Sequence, residues 1–206
     1  MSAPTRPIAK LLIANRGEIA RRVIRTCCEL GIATVAVFSE ADAEAAFVRE
    51  ADESVALGAS APGASYLRRD AIVAAALLTG ADAVHPGYGF LAENSRFASD
   101  CVNAGLTFVG PSAEAIRAMA SKIEARALME RAGVPVVPGA TFGETAGADM
   151  TRIARRLGTP LLVKASAGGG GRGIRIVDRP ADLPRAIEAA RLEAVSAFGD
   201  DTVFVE

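Results

Sequence analysis

The residues best equipped for chemistry lie between Lys164 and Gly173. Lys164 is followed by Ala165, Ser166 and Ala167, then four consecutive glycines (Gly168, Gly169, Gly170 and Gly171), Arg172 and Gly173. Pro160–Val163 before this stretch reads as a buried strand, and Ile174–Val177 after it alternates like a second one. A glycine run joining two strands is a hairpin flap. A phosphate-binding P-loop must instead lead into a helix and carry its Lys-Ser/Thr at the far end. Bare backbone N–H groups between two basic side chains suit a polyphosphate, whereas a flexible linker is the plainer alternative. The flap reading is preferred, because linkers are seldom flanked by apolar strands and paired cations.

Composition sharpens the choice of residues. Of 23 basic residues only three are lysines, Lys10, Lys122 and Lys164. In so arginine-rich a chain a lysine marks a place where a compact point charge fits and a guanidinium fork does not. Lys10 opens the first strand and reads as a solvated strand end. Lys122 follows Ser121 at the start of a helix, where a cation is unfavourable unless an anion binds nearby. His85 is the only histidine, so this sequence builds neither a His-based triad nor a multi-histidine metal site. It opens the turn His85–Asn94 at the C-terminal end of a strand, which is expected to border a ligand crevice, while His85 itself reads as hydrogen-bonded inside a rigid Pro/Gly turn. Glu93 offers a capping carboxylate to the helix that follows.

The elements that position these groups alternate strand and helix. Strands are expected at Lys10–Ala14, Thr34–Phe38, Ala83–His85 and Thr107–Val109. Helices are expected at Gly17–Leu30, about Arg68–Thr79, about Asn94–Asn103, Ala113–Met119 and Lys122–Ala132. The first helix is expected to bury Ile19, Val23, Cys27 and Leu30, with Gly31 as its cap. This pattern predicts a Rossmann-like parallel α/β sheet covered on both faces. The first turn has only Gly17 and carries Glu18, so the Gly-x-Gly-x-x-Gly needed for a dinucleotide pyrophosphate is missing. After Pro138 the rhythm changes to a small α+β unit. It has a Gly/Thr-rich loop (Gly139–Gly147), a helix at Met150–Leu157, the strand–flap–strand, a helix at Leu183–Ala197 capped by Asp182, and a strand at Thr202–Glu206. The expected organisation is residues 1–120, a helical linker 121–137, and 138–206. The chain stops in mid-strand, which suggests that it is cut short.

Several classes are disfavoured. A net charge of −1 gives no field for nucleic acid or anionic membrane. The longest apolar run, Ala71–Leu78, is too short to span a bilayer. The three cysteines, Cys27, Cys28 and Cys101, lack metal-ligand spacing. Cys27 and Cys28 read as small core residues of a cytoplasmic protein.

Taken together, Ile13–Ala20, His85–Asn94, Phe108–Pro111, Ala132–Gly139 and Lys164–Gly173 resemble, in order, the signatures of biotin carboxylase, the ATP-grasp component of biotin-dependent carboxylases. The resemblance spans essentially the whole chain. It implies that ATP activates bicarbonate as carboxyphosphate, whose carboxyl passes to biotin on a carrier protein. It implies nucleotide binding by Lys122, Lys164, the lid glycines Gly168–Gly171 with Arg172, and Glu206 at the adenine edge. It also implies Mg²⁺ ligands, bicarbonate-binding groups and a catalytic base supplied by a C-terminal domain beyond these residues, so that these residues alone do not carboxylate biotin. Implied partners are a biotin carboxyl carrier protein and a carboxyltransferase of an acyl-CoA or pyruvate carboxylase. Homo-oligomer contacts through Arg22, Arg25 and Glu29 are implied too. Another ATP-grasp ligase such as carbamoyl-phosphate synthetase, and a non-catalytic nucleotide-binding or subunit-interaction module, stay open as alternatives.

Overall fold

The computed structural model describes residues 7–142, 148–166 and 174–206. The chain divides into two compact units, Met1–Arg117 and Ala118–Glu206. The first contains β1 (Lys10–Ile13), α1 (Gly17–Leu30), β2 (Ala33–Ser39), α2 (Ala46–Glu50), β3 (Glu53–Gly58), α3 (Arg69–Leu78), β4 (Ala83–His85), α4 (Ser95–Asn103), β5 (Thr107–Phe108) and most of α5 (Ala113–Ala120). Its sheet runs β3-β2-β1-β4-β5 with every pair parallel. This is a Rossmann-like doubly wound order, with helices on both faces as the alternating pattern demands.

The two-residue period of β1 splits the core. Leu12 and Ala14 join Val35, Val37, Val84, Tyr66, Ile72 and Phe97 on one face of the sheet. Leu11 and Ile13 join Ala36, Ala83, Ala20, Ile24, Cys27 and Phe47 on the other. The buried stripe of α1 is therefore Ala20, Ile24 and Cys27, one residue round from the expected face. Ala20 lets the helix backbone lie close to the sheet, while Leu30 at the helix end is 67% exposed. Cys28, expected in the core, is exposed for the same rotational reason. Gly31 ends α1 in the left-handed region at φ 68°, as expected.

β3 is a strand that the sequence pattern does not predict. It is an edge strand with only Leu57 buried, so its side chains carry little apolar periodicity. Lys10 is no mere solvated strand end. Its ammonium donates to Glu53 Oε1 at 2.6 Å and to the Thr79 carbonyl at 2.8 Å. It therefore ties the edge strand to the negative C-terminal end of α3.

The second unit contains α6 (Lys122–Arg131), β6 (Ala140–Thr141), α7 (Ala148–Leu157), β7 (Leu161–Ala165), β8 (Arg175–Val177), α8 (Leu183–Phe198) and β9 (Val203–Val205). The helix expected as a linker is part of this unit. Its sheet runs β6-β9-β7-β8 and is antiparallel throughout. Leu161, Val163, Val177, Val203 and Val205 pack on one face with Leu183, Ile187 and Ala190 of α8. Asp182 precedes α8 but does not cap it, because its carboxylate accepts from Arg179 Nε at 2.8 Å. Pro184 at the second helical position leaves no N–H there for a cap to satisfy.

Candidate functional site

The alternation that buries Val163 and Ala165 puts Lys164 on the opposite face of the second sheet. Lys164 pairs across the strands with Phe204. Two residues further along β9, Glu206 exchanges both backbone bonds with Leu162, at 2.7 and 3.0 Å. Lys164 and Glu206 are thus diagonal cross-strand neighbours, within reach of two long side chains. The Lys164 ammonium donates to Glu206 Oε1.

Helix α6 faces the same cleft. Ser121 caps it by accepting from Glu124 N at 3.3 Å. Glu124 also places a carboxylate in the first turn, which offsets the unfavourable Lys122. Lys122 N and Nζ both donate to the Ser166 carbonyl, at 3.4 and 3.3 Å. That carbonyl lies one residue after β7, so both sequence-selected lysines converge on the strand end before the glycine run. They line a cleft of about 540 Å³ whose apolar walls include Met129, Val137, Ile174 and Phe204. A flat apolar heterocycle with a polyanionic tail matches these walls and cations.

Arg126, which the sequence pattern does not single out, enters this cleft as well. Its Nε donates to Glu130 Oε1 at 3.2 Å, Nη2 donates to the Val137 carbonyl, and Nη1 lies 4.0 Å from Glu206 Oε2. The Arg126–Glu130 spacing of four residues reads as an ordinary helix-surface pair, which hides the role. Gly168, Gly169, Gly170, Gly171 and Arg172 lie outside the described residues, as do residues 143–147 of the Gly/Thr-rich loop. Among the described residues no group of three or more His, Cys, Asp or Glu stands together to hold a metal ion. The carboxylate of the cleft, Glu206, is engaged by Lys164 and Arg126.

In the first unit the strand order reverses between β1 and β4, the place where open α/β sheets present a ligand crevice. The loops after these strands interlock there. Asn15, 1% exposed, donates through Nδ2 to the Pro86 and Tyr88 carbonyls at 2.8 and 2.9 Å, and its Oδ1 accepts from Arg16 N. Gly87 N donates to His85 Nδ1 at 2.9 Å, so the imidazole is hydrogen-bonded inside the turn. Burial pushes the His85 pKa down, which keeps Nδ1 free to accept. Glu93 is not the helix cap; Asn94 Oδ1 accepts from Phe97 N instead. Phe90, at φ 40°, stacks on Tyr66 at 5.0 Å, and the Arg16 guanidinium lies 5.6 Å from both rings.

Beneath this stack Asp42 Oδ2 accepts from Tyr66 OH at 2.7 Å, Ser39 Oγ at 3.1 Å and Arg16 Nη1 at 3.4 Å. Burial acts to raise the Asp42 pKa. The hydrogen bonds from Tyr66, Ser39 and Arg16, with the Arg16 charge, outweigh it and hold the carboxyl below its ordinary value. Stability from a depressed carboxylate is present above the unfolded value and is lost as pH falls through the folded one. Asp42→Asn is therefore expected to cost about 1–3 kcal/mol at pH 7. Urea unfolding at several pH values should show the parent–variant gap closing below about pH 4. A gap independent of pH would assign the loss to packing.

Residues 7–116 match the family model for the biotin carboxylase N-terminal domain, and residues 121–206 match that for the ATP binding domain of the carbamoyl-phosphate synthase L chain. The biotin carboxylase of Pseudomonas aeruginosa is 52% identical over 204 residues, covering 97% of this chain and 44% of that protein. Biotin carboxylase 1 of Bacillus subtilis is 51% identical over 199 residues, covering 97% of this chain and 44% of that protein. Among solved structures, the Campylobacter jejuni biotin carboxylase complex with β-γ-ATP superposes with a TM-score of 0.90 at 47% identity, covering 97% of this chain and 45% of that one. The biotin carboxylase domain dimer of Hydrogenobacter thermophilus 2-oxoglutarate carboxylase, with MgADP, ADP and bicarbonate, gives 0.88 at 48% identity and covers 98% and 44%. The chain spans less than half the length of these relatives.

Proposed function

The chain belongs to the biotin carboxylase family, and from that premise we propose that it holds ATP for the bicarbonate-dependent carboxylation of biotin on a carrier protein. The observation that carries this reading is the convergence of Lys122 and Lys164 on one apolar-walled cleft. Point charges fixed beside a polyphosphate neutralise charge as a phosphoryl group moves, and positioning supplies most of the rest. Lys122 and Lys164 hold the phosphates in this reading, Met129, Val137, Ile174 and Phe204 enclose the base, and Glu206 meets its polar edge. Gly168–Gly171 and Arg172 enter from the sequence alone, as backbone donors and a cation closing over the phosphates. Mg²⁺ would supply charge neutralisation at the phosphates when bound, and among the described residues no group of three or more His, Cys, Asp or Glu stands together to hold it.

Three features support a carboxylase over another ATP-grasp ligase. The first half matches the biotin carboxylase model itself. The B. subtilis biotin carboxylase is 51% identical over an alignment that covers 97% of this chain and so reaches both halves. Two structural neighbours at 47% and 48% identity are biotin carboxylases, one in complex with β-γ-ATP and the other with MgADP, ADP and bicarbonate. The carboxyl acceptor, an acyl-CoA or pyruvate, is selected at a partner carboxyltransferase, and the carrier protein brings biotin. Self-association through the exposed Arg22, Arg25 and Glu29 of α1 belongs to the same proposal, as does a cytoplasmic location. No helix among the described residues is long and apolar enough to cross a membrane.

The test is ADP formation by the whole protein with bicarbonate, in the presence and absence of biotin. Biotin- and bicarbonate-dependent ADP release is expected. ATP binding with no such release would favour a non-catalytic nucleotide module.

A further inference from the structure

We infer that Arg126 is a positioning residue for the phosphate end of the cleft, acting through Glu206. This rests on reading the cleft as a nucleotide site. Among the described residues the cleft brings three cations, Lys122, Arg126 and Lys164, around one lining carboxylate, that of Glu206. Glu130 stays at the rim with its side chain 52% exposed. The side chains of Arg126, Glu206 and Lys164 are only 16%, 18% and 23% exposed, so water screens them poorly. Glu206 holds Lys164 in close contact and keeps its other oxygen 4.0 Å from Arg126 Nη1. Before nucleotide arrives, the carboxylate thus occupies the ammonium that a phosphate must use.

Arg126 is built to receive that carboxylate. Its guanidinium is held on two other sides, by Glu130 and by the Val137 carbonyl, which leaves Nη1 directed at Glu206. Gly139 maintains the arrangement. A Cβ there would lie 2.6 Å from Arg126 Nη1 and 2.4 Å from the Val205 carbonyl, so a side chain would force the loop, β9 and the guanidinium apart. When a phosphate takes Lys164, Glu206 turns from Lys164 to Arg126, and the partly buried carboxylate is not left without a cation. The exchange swaps partners, and so avoids the cost of stranding a poorly solvated charge. Without Arg126, Glu206 has Lys164 as its main counter-ion and competes harder with the incoming anion.

A double-mutant cycle on the full chain tests this, with inorganic tripolyphosphate as the probe because it carries no base to touch Glu206. Calorimetric titration should show Arg126→Gln weakening tripolyphosphate binding by about tenfold, and Glu206→Gln leaving it unchanged or tighter. In the Glu206→Gln background, Arg126→Gln should cost no more than about twofold, because the competitor is already gone. Arg126→Lys should fall between parent and Arg126→Gln, and it reads the same cycle if the glutamine variant fails to fold. An equal loss in both backgrounds would overturn the inference, since Arg126 would then act on the anion or the fold directly. Unchanged binding in Arg126→Gln would overturn it too, leaving the nucleotide site standing. A parent that binds neither tripolyphosphate nor ATP would overturn the nucleotide reading, and this inference with it.

Discussion

Replacing Lys164 by glutamine is expected to weaken ATP binding by about one to two orders of magnitude, the equivalent of a charge-assisted hydrogen bond worth about 1.5–3 kcal/mol. Glutamine keeps much of the side-chain length and a donor but removes the charge. The fold should survive, because Val163 and Ala165 still anchor β7 in the core and Arg126 still faces Glu206. Titration calorimetry reads the affinity, and a melting curve of the same sample reads the fold. Lys164→Arg should not rescue fully, since a guanidinium fork is wider than the ammonium that contacts Glu206. Equal ATP affinity in parent and Lys164→Gln would remove this lysine from the site.

The second large effect concerns the first unit. Gly87→Ala is expected to destabilise it by about 2–4 kcal/mol, combining left-handed backbone cost with overpacking. Gly87 has φ 66°, and a Cβ would fall 2.6 Å from Ile19 Cγ2 and 2.7 Å from Asn15 Nδ2. Asn15 is the residue that pins the turn to the end of β1, so the collision strikes the joint between the two loops. Gly89 is the matched control. Its φ is 73°, yet nothing lies within 4 Å of a Cβ there, so Gly89→Ala should cost only about 1–2 kcal/mol. Urea unfolding monitored by circular dichroism separates the two. Equal costs would mean that the steric contact with Asn15 and Ile19 is unimportant.

Much of this architecture is legible because its punctuation is local. Gly31, Gly80, Gly105 and Gly133 all adopt positive φ where the sequence pattern ends a helix. β1, β2 and β4 of the first unit are short, largely buried apolar runs, a pattern that separates cleanly from the helices between them. The lysines are legible for a different reason, since three among so many arginines stand out by rarity alone. The features that local pattern hides depend on distant partners. β3 is half-exposed and gains its place from pairing with β2. The face of α1 is set by how closely Ala20 lets it approach the sheet. Asp182 has the right type for a cap but is taken by Arg179, and Arg126 reads as one half of a surface pair with Glu130. The Asp42–Tyr66–Arg16 cluster joins residues 24 and 26 positions apart, a relation that no local pattern encodes.

The nucleotide is proposed to sit in the second unit, against Lys122, Lys164 and Phe204. Photolabelling with 8-azido-ATP, followed by peptide mapping, tests it directly. The predicted label falls within residues 118–206, on peptides that line the cleft, and it is suppressed by excess unlabelled ATP. ATP-suppressible labelling confined to residues 7–117, around the crevice between β1 and β4, would contradict it.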